Sequence, residues 1–191
     1  VESWFNGTEP WACGSPEKLS LLKRLESEYY PLESGLTQTT VGIGVATGAD
    51  KVYITTDAEI VEASRLLPMA MAYDSENGKL NWSGHYLINP WVESGLVDLA
   101  DYPRLEAYLK SNLLQLKGRH IAKNNPKNWY RTIDRVNCSL TNKAKLYIPD
   151  IKERITPILD TGGTYPHHNL YFVQSDVWDV EVLGGLLLSD I

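Results

Sequence analysis

The residues best suited to chemistry lie between Lys110 and Lys145. Nine cations stand there (Lys110, Lys117, Arg119, Lys123, Lys127, Arg131, Arg135, Lys143 and Lys145) beside one acid, Asp134. That window carries +8 and the other 155 residues carry −14, within a 191-residue chain of net charge −6. Such a concentration suits a polyanion, because each phosphate neutralised by Lys or Arg releases condensed counterions. At its centre, KGRHIAKNNPKNWYR, Trp129 and Tyr130 sit between Lys127 and Arg131. Apolar planes beside cations suit stacking on bases or packing against sugar. Asn124, Asn125 and Asn128 fall among the same cations, and Asn can bond adenine bidentately in the major groove, as Arg does guanine. The competing reading of any charge run is a solvated face.

Other candidates are weaker. Gly42, Gly44 and Gly48 suggest a phosphate-cradling loop, but their spacing is G-x-G-x-x-x-G rather than the dinucleotide fingerprint, and a second strand pattern follows. Small residues in a strand more often mark a bulge or a close backbone approach. Asn89-Pro90-Trp91 is like the loop with which amino-methyltransferases hold adenine, yet it lacks the second proline and reads better as a strand end. His167-His168 is the one histidine pair. Adjacent residues of an extended chain point to opposite faces, so the pair is expected to be a poor metal site and to form a polar turn. No Ser-His-Asp or Cys-His arrangement and no G-x-S-x-G elbow can be picked out. No catalytic, cofactor-binding or metal residue is assigned, and the chain does not read as a catalyst.

These residues need elements to hold them. Ser15 and Pro16 read as N-cap and first residue of a helix carrying Leu21, Leu22, Leu25 and Tyr29 and ending near Pro31. The first fifteen residues, with Trp4 and Trp11, read as a linker. Val41, Ile43 and Val45, then Val52 and Ile54, alternate around Thr47-Gly48-Ala49-Asp50 and predict a two-strand signal with a Gly-containing connection. A short helix after Asp57, ended by Pro68, is expected next, then strands at 69–73 and 85–91. Pro103 opens a second clear helix with Leu105, Tyr108, Leu109, Leu113 and Leu116 on one face, and Gly118 is expected as its C-cap. The basic stretch begins there, with Asn124-Asn125-Pro126 as loop chemistry. Strands are expected at 144–149, 157–160 and 169–174, with Gly162-Gly163 turning between the last two and Asp176 capping a final helix. Helices and strands mix without a βαβ repeat, so the class is α+β, with mixed sheets and a few packing helices.

The 43% hydrophobic content supports a core, and no apolar run approaches a membrane span. VESWFNG has neither a basic start nor an apolar stretch, so no secretory signal is expected. The start on Val and the stop within an apolar run suggest a piece of something longer. Cys13 and Cys138 lack metal-ligand spacing; one disulfide is possible, but two thiols in a reducing cytoplasm is the plainer expectation.

The order of motifs resembles the TaqI-like C-terminal specificity domain, the target-recognition domain of type II restriction–modification N6-adenine DNA methyltransferases. The likeness is carried by VGIGVATGADKVYI (41–54), HYLINPW (85–91), YPRLEAYLKSNLLQLKGR (102–119), NWYR (128–131), KAKLYIPDI (143–151) and the closing residues Asp160, Gly163, Thr164, Tyr165 and Leu170 to Val173. It implies residues 1–34 as linker and helix leading from a missing N-terminal catalytic domain. Residues 35–191 would be the recognition domain, truncated at its C-terminus. It also implies S-adenosylmethionine in the parent catalytic domain and none here, with double-stranded DNA and that domain in cis as partners. Arg119, Lys123, Lys127, Arg131, Lys143 and Lys145 are then expected at phosphates, which position without reading sequence. His120, Asn124, Asn125 and Asn128 are expected at base edges, while Trp129 and Tyr130 either stack or belong to the core. The alternative is a protein-interaction module whose basic stretch docks an acidic partner.

Overall fold

The computed structural model describes residues 14–76, 78–150 and 155–189. The expected N-terminal linker anchors and Cys13 lie outside these residues. Ser15 does cap the first helix, α1 (Pro16–Glu28), accepting from the Lys18 N–H. None of its residues is buried, and Leu21, Leu22, Leu25 and Tyr29 stand exposed.

Strand β1 (Thr39–Ile43) follows, then α2 (Asp50–Tyr53) and β2 (Ile54–Thr55). The two strands do not form a hairpin. β1 pairs with a distant C-terminal strand in register Thr39↔Ser175 to Ile43↔Tyr171, and β2 pairs with residues 86–87. The glycines explain why β1 can lie there. A Cβ on Gly42 would fall 2.4 Å from the Phe172 ring, and one on Gly44 would fall 2.1 Å from the His167 carbonyl oxygen. Close approach, rather than phosphate binding, is their use.

β3 (Leu66–Ala70) contains Pro68, where a helix end was expected. The proline is tolerated because β3 meets its second neighbour at Met69 and Ala70, beyond the missing N–H. Short strands β4 (Ser75–Glu76), β5 (Lys79–Leu80), β6 (Tyr86–Ile88), β7 (Trp91–Val92) and β8 (Gly95–Leu96) lead to the helical stretch. There α3 (Pro103–Ser111) and α4 (Leu113–Gly118) are separated at Asn112. The Asn112 side chain donates to the Tyr108 carbonyl and so competes with the helical ladder. Leu105, Leu109 and Leu116 nevertheless share one buried face. Gly118 is not a left-handed cap. It remains helical, extended Arg119 breaks the helix, and α5 (His120–Asn124) follows directly. The first part of the basic stretch is therefore helix.

The remaining elements are β9 (Lys145–Pro149), β10 (Ile158–Asp160), β11 (Tyr165–Pro166), β12 (Leu170–Ser175) and α6 (Val180–Leu188). Asp179, not Asp176, caps α6, accepting from Glu181 and Val182. The class is α+β. A six-stranded sheet runs β1-β12-β9-β10-β5-β4, a four-stranded one β11-β3-β6-β2, and β7-β8 form a ribbon. The main core packs Tyr53, Met69, Leu87 and Ile88 against Leu105, Leu109 and Leu116. β9 is covered on both faces: Tyr147 packs with Ile158 and Leu170, while Leu146 packs with Val173 and Leu183 of α6. That is why Leu146, Tyr147 and Ile148 follow one another as an apolar run after Lys145. Among the described residues, no helix is long and apolar enough to cross a membrane.

Candidate nucleic-acid interface

The break at Arg119 turns the chain back, and its side chain fixes the turn. Arg119 Nε donates to the Leu116 carbonyl at 3.1 Å, Nη1 to Thr47 at 3.1 Å and Nη2 to Trp129 at 2.8 Å. One planar fork thus ties the end of α4, the 47–50 turn and the loop after α5 together. Its guanidinium also lies 5.4 Å from the Tyr53 ring centroid. Burial, against the opposing influence of Arg119, pushes the Tyr53 phenol up to about 12, so it stays a donor, and it bonds the Tyr130 carbonyl at 2.6 Å. The 131–135 segment is laid on the same turn: Ile133 N–H donates to Thr47, Asp134 N–H to Ala46, and the Asp134 carboxylate accepts from Ala46 N–H at 2.8 Å.

Between these walls opens a cleft of about 560 Å³, lined by Gly48, Arg119, His120, Ile121, Asn124, Asn125, Arg131 and Ile133. Five of these are residues singled out in the sequence. His120 and Asn124 are one helical turn apart and both exposed, with Asn124 Nδ2 3.3 Å from the imidazole Nε2. Lys123 and Lys127 are exposed close by in sequence, Asn125 and Asn128 half-buried, and Pro126–Asn128 forms a single 3-10 turn. Gly48, at φ +72°, was weighed only as part of a phosphate loop, and the two isoleucines were not singled out. Only the Gly48 turn signal could have pointed to that wall.

Other expected contacts are placed differently. Lys145 is a correction. Its side chain is 0% exposed and its ammonium lies 3.0 Å from Asp160 Oδ2, so it cannot meet a phosphate. The ammonium also donates to the Lys143 carbonyl at 2.8 Å and to that of Thr141 at 3.3 Å. The residue pattern concealed this because an alternating K-A-K-L-Y looks half-exposed, whereas β9 is covered on both sides. Lys143 pairs with Asp176 at 3.2 Å and borders a separate cavity with Trp178 and Asp179. Arg119 commits three N–H groups to backbone carbonyls and so acts first as a positioning residue. Tyr130 turns inward, its hydroxyl donating to the Val97 carbonyl at 2.8 Å, and half-buried Trp129 packs on the main core with Lys117 6.0 Å from its ring centroid. The core alternative describes both aromatics better than stacking.

Asn89 is buried. Its amide brackets Trp91, accepting from the Trp91 N–H and donating to its carbonyl, and it also donates to Cys138 Sγ. Trp91 Nε1 donates to the Thr132 hydroxyl at 2.7 Å. This is a strand end with a packed indole. The histidine pair departs from expectation. The Leu170 N–H bonds back to the His167 carbonyl and curls the chain, so the two rings lie side by side, centroids 3.9 Å apart, instead of on opposite faces.

No family model matches the chain. Curated relatives do. The type II methyltransferase M.XhoI of Xanthomonas vasicola is 44% identical over 97% of this chain, and M.BstVI of Geobacillus stearothermophilus is 40% identical over 98%. M.PaeR7I of Pseudomonas aeruginosa is 46% identical over 97%. The chain is similar to type II methyltransferases over nearly all its length. It spans about a third of each of them: 34%, 34% and 32% in the same order.

Proposed function

We propose that this chain is the DNA target-recognition region of an N6-adenine-specific type II restriction–modification methyltransferase, of the TaqI-like specificity type. In this reading it grips duplex DNA along the rim of the α5 cleft. Lys117, Lys123, Lys127 and Arg131 meet phosphates, and His120, Asn124, Asn125 and Asn128 are offered to base edges. The catalytic, S-adenosylmethionine-binding domain lies elsewhere in the same polypeptide and meets this region in cis. The observation that carries the reading is a cleft framed by cations and side-chain amides, within a chain that resembles one third of several type II methyltransferases. The exposed apolar stripe of α1 offers that domain a surface.

The test is charge reversal. Lys127→Glu weakens binding to all duplex sequences alike, and Arg131→Glu does the same. Each lowers the steepness of the log–log salt dependence by about 0.9 for every phosphate that is no longer neutralised. Unchanged affinity in both variants refutes the proposal. A one-to-one complex with an acidic protein, without preference for DNA, would favour the docking-module alternative.

A further inference from the structure

We propose that Asp50, His167 and His168 form a binding site for a divalent transition metal of the zinc class. Each offers one ligand atom, and these atoms all lie within 4.8 Å of one another. Asp50 Oδ2 and His167 Nε2 are 3.4 Å apart. That is long for a hydrogen bond, but two ligands about 2.0–2.1 Å from a tetrahedral metal are separated by about 3.3–3.4 Å. Carboxylate plus two imidazoles is a donor set that zinc takes in sites with an open fourth position. Solvent reaches the cluster, because Asp50 and His168 are exposed while His167 is buried.

The surroundings orient the ligands. His167 Nδ1 lies 2.8 Å from Asn169 Oδ1. A proton on Nδ1, donated to that oxygen, leaves the Nε2 lone pair aimed at the Asp50 carboxylate. In the neutral imidazole two acceptors then face each other, and a bound metal cation would bridge them. A second partner that fixes the tautomer of a histidine ligand is the usual companion of a metal site. The other Asp50 oxygen is occupied by the Thr47 hydroxyl at 2.5 Å, which leaves Oδ2 directed at His167. The ion would bridge residues 117 positions apart in sequence. It would tie the 47–50 turn, whose Thr47 carbonyl is held by Arg119 and Ile133, to the turn that follows β11.

The experiment uses the untagged chain, stripped with chelator and titrated with Co²⁺ and then Zn²⁺. Saturation of the cobalt d–d absorption at one equivalent, its displacement by zinc, and a higher melting temperature with zinc than with chelator are expected. His168→Ala changes an exposed residue and should leave the chelator-treated melting temperature unaltered while weakening metal binding at least tenfold. Asp50→Asn should weaken it as well, and His85→Ala should not. The proposal is overturned by absence of saturable binding, by wild-type affinity in His168→Ala, or by loss of the metal in His85→Ala.

Discussion

Replacing Lys145 with methionine separates structural from DNA-facing cations. The ammonium has no exposure and neutralises Asp160, which is itself 5% exposed. Removing one partner of a buried pair typically costs about 3–5 kcal/mol, because the other charge stays uncompensated. Here the two sides are unequal. Without Lys145, the Asp160 carboxylate still accepts from the Tyr147 hydroxyl at 3.1 Å, the Thr164 hydroxyl at 2.6 Å and the Gly162 N–H at 2.9 Å. Lys145→Met therefore belongs near the lower end, about 3 kcal/mol. Asp160→Ala leaves an ammonium with only the Thr141 and Lys143 carbonyls and removes the support of the Gly162 turn, so it belongs near the upper end, about 5 kcal/mol. Urea denaturation at constant pH measures both. A pH signature accompanies them. Burial holds the Lys145 ammonium below its ordinary 10.5, opposed by Asp160. The unfolded chain thus binds that proton more tightly than the folded one, and stability rises with pH in the window just below 10.5. Lys145→Met abolishes that rise. In DNA titrations where the variant remains folded, its salt dependence equals that of wild type. A loss of stability below 1 kcal/mol, or a shallower salt slope, refutes the buried-pair reasoning.

Glu62 caps α3 from 42 residues before Arg104, its two oxygens accepting from the Arg104 and Leu105 N–H groups at 2.7 and 3.0 Å. Burial alone would raise its pKa, but these N–H donors, its own N–H and nearby Arg104 hold it below 4.5. Its contribution is therefore present above 4.5 and lost as pH falls through the lower folded value; Glu62→Gln costs about 1 kcal/mol at neutral pH and flattens that acid limb in pH-dependent melts. Gly44→Ala forces a methyl against the His167 and Pro166 carbonyls and should destabilise, whereas Gly185→Ala, in α6 with open space around its Cβ, should stabilise by about 0.5–1 kcal/mol. Thermal or urea unfolding of the two variants side by side checks the contrast.

Much of the local structure was legible. Ser15-Pro16 opens a helix, Pro103 opens another with its leucines on one face, and the three C-terminal strands fall where β-branched and aromatic residues cluster. Three failures share a cause: long-range packing overrides local pattern. The alternation at 41–43 was a genuine strand signal, but Val52 lies in α2, and β1 found its partner 128 to 136 residues away because Gly42 and Gly44 admit Phe172 and the His167 carbonyl. Lys145 looked exposed because alternation cannot reveal that its own face of β9, shared with Tyr147, is buried and presents Asp160 as a partner. His167 and His168 looked divergent because the turn at 167–170 is closed by a backbone bond that no residue type announces. Of the candidate interface, the cations and amides of 119–131 were visible as a cluster in sequence. The 47–50 wall was not, because Arg119 draws it in from 72 positions away.

The most direct measurement is fluorescence anisotropy of this chain with a labelled random duplex between about 50 and 200 mM salt. Four phosphate contacts, from Lys117, Lys123, Lys127 and Arg131, give a log–log slope of about −3.6. A slope near that value, reduced in Lys127→Glu and intact in Lys145→Met, is the expected result. Binding that does not change with salt, or no binding to duplex DNA at the low-salt end, contradicts the proposed interface.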